Sequence, residues 1–534
     1  MRCETYDNRL LSWDRVAAIS IMTFSVFILL GCSGDESATD SQLAMDEYWA
    51  EDSSVEESEE EAADFNTEEY DAIIENDFLL TSDEPLSTFS IDVDTASYSN
   101  IRRFLNNGSL PPAGAVRIEE MVNYFDYAYE PPDDDVPFAS RVEIATCPWA
   151  PDHQLARIAL KGRVVEEEER PRANLVFLID ASGSMQDANK LPLVKQGLKM
   201  LVRQLGEEDF VTIVAYAGQS GIVLPPTSCG DARRITNAID DIGAGGSTAG
   251  AAGIRDAYEA AQRNFDPNGI NRIILCTDGD FNVGISDESR LVSLITEKAR
   301  SGVFLSVFGF GMGNYKDSRL ESLADNGNGN YGYIDTRNEA KKVFVEQLMG
   351  TLITIAKDVK IQIDFNPTHV QAYRLIGYEN RLLANRDFND DEKDAGEIGA
   401  GHTVTAFYEL VPPGVEVPMP VIETSRYQVP GELTEAAQGD ELFTVKIRYK
   451  EPDGDTSRLL TFPAASGSHP GVPSRDFQFA TAVALFGQLL REGSYTNDAT
   501  YETVLELAEG SVGADPHGYR SEFLELVEEA QFLD

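Results

Sequence analysis

The sequence is poor in positive charge and cysteine, and each shortage closes off a class of function. Its 534 residues hold 43 Lys+Arg against 91 Asp+Glu, a formal net charge of −48 at pH 7. A surface of that sign repels phosphate backbones and bare anionic membranes, so nucleic acid is excluded as a partner. Solubility or a salty medium accounts for the excess of acid. The five cysteines, Cys3, Cys32, Cys147, Cys229 and Cys276, are scattered with no CxxC pair. That spacing indicates neither a zinc site nor a disulfide framework. Cys276 sits in the apolar run RIILC and reads as a small core residue; a Cys147–Cys229 bridge stays open. After residue 32 no stretch is apolar enough to span a bilayer. Hydrophobic residues at 42% and aromatics at 9% still suffice for ordinary cores. The length predicts three or four domains of about 150 residues each.

What is present begins at the amino terminus. Residues 16–31, VAAISIMTFSVFILLG, form an apolar stretch shorter than the roughly 20 residues of a membrane span, as in a signal-peptide core. The stretch ends in Leu29-Leu30-Gly31-Cys32, which resembles the lipobox of bacterial lipoproteins. That resemblance implies that Cys32 becomes the lipidated first residue of the mature chain. Two or more acyl chains, palmitate among them, would give stable anchoring to a membrane. Arg2, Arg9 and Arg15 are offset by Glu4, Asp7 and Asp14, so the leader is not clearly basic, and an uncleaved anchor is the alternative. Either way the rest of the chain is expected beyond the cytoplasmic membrane, lipid-anchored in a bacterial cell envelope. Ser33 after the cysteine resembles the sorting pattern of Gram-negative lipoproteins, which favours the outer over the inner membrane.

Residues 33–85 are acidic and poor in aliphatics, with EDSSVEESEEEAADFNTEEYD at their centre. They are expected to form a disordered, self-repelling tether. Residues 86–139 predict a small α+β flank: a strand over 88–93, a helix from Ala96 capped by Asp94 or Thr95, a break at Pro111-Pro112, and a helix over 117–127. Residues 140–170 alternate as strands. From 171 to 356, the strands NLVFLID, DFVTIVAYA, NRIILCTD, VFLSVFGFG and YGYID are separated by helical patterns at 190–205, 231–242, 249–264, 287–300 and 318–326, with a last helix over 339–355. This alternation predicts an α/β domain with a doubly wound, mostly parallel sheet. Residues 357–465 return to strands, and 466–534 read as a helical segment. Strands on both sides of the α/β domain predict that it is inserted in a β-sandwich.

The strand NLVFLID delivers Asp180, Ser182 and Ser184 into a strand-to-helix loop, at the carboxyl end of a strand, where open α/β sheets bind ligands. A hard divalent cation takes oxygen ligands in near-octahedral geometry and keeps several waters. Asp-x-Ser-x-Ser suits it, with Gly183 allowing a close bend and the neutral hydroxyls leaving the metal electrophilic. Further oxygens come from Thr248 in GAGGSTAGAAG and Asp278 in CTDGDFNVG. Taken singly, such residues are also ordinary turn and cap residues.

Together these pieces resemble the metal-ion-dependent adhesion site of von Willebrand factor type A domains, with Asp180, Ser182, Ser184, Thr248 and Asp278 in the matching positions. The resemblance implies a Rossmann-like fold, a Mg²⁺ ion with Mn²⁺ or Ca²⁺ as alternatives, and a protein ligand whose Asp or Glu carboxylate completes the metal shell. The segments FSIDVDTASYSNIRRFLN and DFQFATAVALFGQLL resemble the flanks of bacterial von Willebrand type A proteins, the second belonging to a domain of unknown function. Those proteins are often labelled calcium-activated chloride channel homologues. The want of an apolar span after residue 32 excludes conduction here.

Enzymatic readings fare worse. DASGSM misses the G-x-S-x-G elbow of serine hydrolases, and GAGGSTAG lacks the lysine of a P-loop. A haloacid-dehalogenase-type phosphatase would carry a second acid where Ser182 stands. The expectation is therefore an envelope lipoprotein that binds a protein partner through a divalent cation and is not an enzyme. A scaffold with a structural metal is the alternative, and a metal-dependent hydrolase a distant third. Asp280, Asn282 and Asp287 read as a solvated acidic loop rather than a second cation site, and Asn314 and Tyr315 as the rim of the metal face.

Overall fold

Five consecutive apolar residues, 175–179, cannot all face one core from a strand, because successive side chains point to opposite faces. The fold answers by burying both faces. The structure, a computed structural model, describes residues 68, 70–133, 136–218, 220–246, 250–279, 288–312, 316–419, 433–465 and 472–534. The leader with Cys32 and the tether up to residue 67 lie outside them.

The amino-terminal flank holds β1 (Leu79–Leu80), β2 (Leu86–Ser90), α1 (Ala96–Asn106) and α2 (Ile118–Asn123), followed by β3 (Phe138–Cys147) and β4 (Ala150–Gly162). The α/β unit runs β5 (Ala173–Asp180), α3 (Leu191–Val202), β6 (Phe210–Tyr216), β7 (Ser220–Ser228), α4 (Ala232–Asp240) and α5 (Gly250–Arg263). It continues through β8 (Ile270–Thr277), α6 (Glu288–Ala299), β9 (Phe304–Phe310), α7 (Asp317–Asp325), β10 (Tyr331–Ile334), α8 (Arg337–Lys341) and α9 (Leu348–Leu352). Then come β11 (Thr354–Phe365), β12 (Ala372–Ile376), β13 (Gly396–Gly399), β14 (Thr403–Val411), β15 (Glu441–Lys450) and β16 (Arg458–Ala465). Three helices close the chain: α10 (Arg475–Leu490), α11 (Tyr501–Glu509) and α12 (Tyr519–Leu533).

The sheet of the α/β unit has the order β10-β9-β8-β5-β6-β7, parallel except for the antiparallel edge strand β7. Leu175, Phe177 and Ile179 pack with α3 and α4 on one face. Val176 and Leu178 pack with α5, α6 and α7 on the other. Strand order runs outward in both directions from β5, so the switch point lies beside its carboxyl end, at Asp180. The edge strand β7, with Pro225 and Pro226, was absent from the sequence reading. Its prolines remove ladder donors and restrict it to an edge.

The strands before and after this unit form one sandwich. β4 pairs with β14 over Thr403–Leu410 and β2 pairs with β11, and the two sheets enclose a common core. The insertion expected from strands on both sides is therefore present.

Several expectations need correction. Residues 70–85, assigned to the tether, are folded: Phe78 is 1% exposed and β1 pairs with β12, because the aliphatics from Ile73 onward give this segment a face to bury. The amino-terminal flank and the carboxy-terminal helices, read as separate segments, share a single core in which Phe125, Phe479 and Phe523 meet edge to face. Thr95 occupies the cap of α1 without a side-chain cap bond, and Asp94 instead accepts the Tyr331 N–H. α2 is shorter than predicted.

The last helix, expected to be continuous over 339–355, is interrupted by a wide π turn over Lys342–Glu346, and Ile355 already lies in β11. The wide turn sets Lys342 to donate to the Tyr124 carbonyl, while Glu339 is held by Arg102 and the Tyr124 hydroxyl. Such π turns arise from tertiary demands of this kind, and the sequence period does not reveal them. Among the described residues no helix is long and apolar enough to cross a membrane. Cys147, Cys229 and Cys276 are free and buried, which closes the question of a Cys147–Cys229 bridge.

Candidate metal centre

Strand β5 ends at Asp180, whose carboxylate is wholly buried. Its Oδ1 accepts the Ser182 N–H at 2.9 Å, which turns the chain sharply out of the sheet. Its Oδ2 accepts the Tyr216 hydroxyl from β6 and the Thr277 hydroxyl from β8, each at 3.0 Å. The two strands flanking β5 thus fix this carboxylate. Burial pushes its pKa up to about 6, against the pull of the Ser182 and Thr277 donors, and the charge of Asp278 adds to the rise.

The next turn places the Ser182 and Ser184 hydroxyls 3.0 Å apart. Oxygens on neighbouring vertices of an octahedron with 2.0–2.1 Å bonds lie about 2.9 Å apart, so this spacing suits a Mg²⁺-sized ion. Gly183 N–H donates to the Gly246 carbonyl at 3.0 Å, and Gly245 N–H donates to the Ala181 carbonyl at 2.8 Å. These bonds tie the second loop to the first, and Gly246 bends it with φ +88°, a conformation open to glycine. Asp278 follows β8 directly and is 2% exposed.

The donor set fits a hard divalent cation: carboxylates from Asp180 and Asp278 and hydroxyls from Ser182 and Ser184. Thr248, the remaining expected ligand, lies outside the described residues, as do Asp280, Asn282, Asp287, Asn314 and Tyr315. The fold brings the other four to the adjacent carboxyl ends of β5 and β8.

Three contributors were not singled out from the sequence. Tyr216 and Thr277 hold Asp180. Lys190, 4% exposed, sets its Nζ 3.1 Å from Asp278 Oδ2. A lysine opening a predicted helix reads as solvated, and nothing local marks it as buried.

A second acidic group was also missed. Carboxylate oxygens of Asp92, Asp94 and Glu321 lie within 4.8 Å of one another, all buried. The Arg381 guanidinium occupies their midst, with Nε 3.1 Å from Asp92, Nη2 3.2 Å from Asp94 and 2.7 Å from Glu321, and Nη1 2.7 Å from Asp325. Arg117 pairs with Glu120, Asp317 and Glu321 from the other side.

With this geometry in hand, comparison with known proteins places the chain. The von Willebrand factor type A domain model matches residues 174–347, a von Willebrand factor model matches 64–157, and a model described as the carboxy-terminal part of the uncharacterized protein YfbK matches 350–533. Over 469 residues the chain is 45% identical to the uncharacterized protein YfbK of Escherichia coli (strain K12), covering 86% of this chain and 81% of that one. The chain therefore belongs to the YfbK family of bacterial von Willebrand factor type A proteins. Among solved structures, a von Willebrand factor type A protein from Catenulispora acidiphila is similar over 75% of this chain and 92% of its own, at 15% identity and TM-score 0.42. Proximal thread matrix protein 1 of the mussel byssus, solved with zinc in its metal-ion-dependent adhesion site, is similar over 33% of this chain and 45% of its own, at 23% identity and TM-score 0.27.

Proposed function

We propose that this protein is a lipid-anchored component of the bacterial cell envelope that captures a protein partner through a divalent cation. Asp180, Ser182, Ser184, Thr248 and Asp278 would hold the ion, Mg²⁺ by preference. The observation that carries the reading is the pair of neutral hydroxyls at octahedral spacing beside two carboxylates, at the switch point of the sheet. With two of its ligands neutral hydroxyls, the ion keeps affinity for one more carboxylate, and an Asp or Glu of the partner supplies it. Because the chain carries −48, an acidic partner is repelled at long range and held only where the cation bridges the two surfaces. Cys32 would carry the lipid. We propose no catalysis.

The test is capture of partners from envelope extract on the immobilised full chain. Retention should vanish in EDTA, return with Mg²⁺ and be lost in Ser184→Ala. Binding that survives EDTA and Asp180→Ala favours an assembly scaffold instead, and turnover of a phosphoester or peptide that those changes abolish would make the protein an enzyme. Unmodified Cys32 with an intact leader on mass spectrometry would favour the uncleaved anchor.

A further inference from the structure

We infer that Lys190 tunes the metal centre: its ammonium covers the charge of Asp278 when no ion is bound and, once an ion enters, holds down its affinity and leaves the loaded site positive toward a carboxylate. This inference rests on the reading that the centre takes a divalent cation. Lys190 is the residue preceding α3, 4% exposed, and its Nζ donates to Asp278 Oδ2 at 3.1 Å. A buried ammonium needs a partner, and a buried carboxylate needs one as much. The place is built for the lysine. Gly311, after β9, adopts φ +76°, and a Cβ there would stand 2.3 Å from the Lys190 Cε. The backbone just beyond β9 thus leaves room for the lysine stem. Being buried, Lys190 acts on a ligand only through Asp278 and the ion.

Charge counting gives the consequence. Asp180 and Asp278 bring two negative charges and Lys190 one positive, so these three groups carry −1 without metal and +1 with a divalent ion. One carboxylate from a partner then brings them to neutrality. Without Lys190 the loaded groups are already neutral. The ion is held more tightly and recruits a carboxylate less well, because nearby charges act strongly where water is excluded.

The experiment compares the full chain in detergent, wild type against Lys190→Met and Lys190→Arg, by calorimetric Mn²⁺ titration and by thermal unfolding in EDTA. Lys190→Met should bind Mn²⁺ at least about tenfold more tightly and unfold at a lower temperature in EDTA, while Lys190→Arg, which keeps the charge, should unfold in EDTA near the wild-type temperature. Unchanged or weaker Mn²⁺ binding by Lys190→Met overturns the inference while leaving the metal centre intact. If Lys190→Met does not fold, the double variant Lys190→Met/Asp278→Asn should recover folding, and failure to recover it overturns the pairing of the two residues. A wild-type protein that takes up no Mn²⁺ overturns the cation reading and this inference with it.

Discussion

Two regions of this protein gather acidic side chains at close quarters and put them to opposite uses. Where the amino-terminal flank, α7 and the sandwich meet, Asp92, Asp94 and Glu321 crowd within 4.8 Å, a spacing that could hold a metal ion. The Arg381 fork already donates to all three. At the end of β5, fewer carboxylates stand beside two hydroxyls and one ammonium. A guanidinium offers five donors in a fixed plane and saturates carboxylate lone pairs, whereas an ammonium is a point charge and leaves oxygens free. Closeness of acids therefore does not define a metal centre. What distinguishes the metal centre is its donor set, two hydroxyls and two carboxylates with a single ammonium beside them.

The largest expected effect breaks the first region. Arg381→Met removes the guanidinium from the buried Asp92 and Asp94 and leaves Glu321 to Arg117 alone, and should lower unfolding stability by about 3–5 kcal/mol, as loss of one partner from a buried ion cluster does. Urea denaturation measures it, and a loss under about 1 kcal/mol would show that the cluster holds its charge by other means.

A titration sharpens the same region. Glu119, 2% exposed, has its pKa pushed up to about 7, first by burial and then by the charge of Glu379. Unfolded, it titrates near 4.5. Its contribution is therefore full below pH 4.5, where both states hold the proton. It is lost as pH rises toward 7, because the unfolded chain sheds its proton first. The ceiling is about 3 kcal/mol. Thermal melts of Glu119→Gln between pH 4.5 and 7.5 should show a flatter decline than wild type, and parallel curves would refute the assignment.

The smallest effect belongs to the metal centre. Magnesium at a hundredfold above its Kd should add about 2.7 kcal/mol to wild-type stability. Asp180→Asn should erase that increment, since the change removes one of the two carboxylate charges at the centre while keeping a side-chain oxygen for the Ser182 N–H. Chemical denaturation with and without Mg²⁺ decides it; an increment that persists would place the ion elsewhere.

The contrast also shows what could be read without coordinates. Asp180, Ser182 and Ser184 follow a buried strand within five residues, and Asp278 follows another, so strand ends and loop chemistry located them. The Arg381 cluster was invisible because Arg381 and Asp94 stand 287 positions apart, and an arginine in an apparent loop carries no local mark of burial. The π turn at Lys342 breaks a helical period that looked unbroken, because a carbonyl of the amino-terminal flank claims its ammonium. Residues 70–85 followed an acidic tract so closely that composition placed their fold boundary too late.

The sequence by itself determined the doubly wound sheet, its insertion between sandwich strands, and the oxygen donors at the strand ends. Each depends on period and spacing along a few dozen residues, where backbone geometry leaves little choice. Only the tertiary structure decided which acids would meet the Arg381 guanidinium, where Lys190 would be buried, and that the amino-terminal flank and the carboxy-terminal helices would share one core. Those outcomes depend on which distant side chains meet once water is expelled, and burial raises the energy of an unpaired charge far above anything its neighbours in sequence can signal.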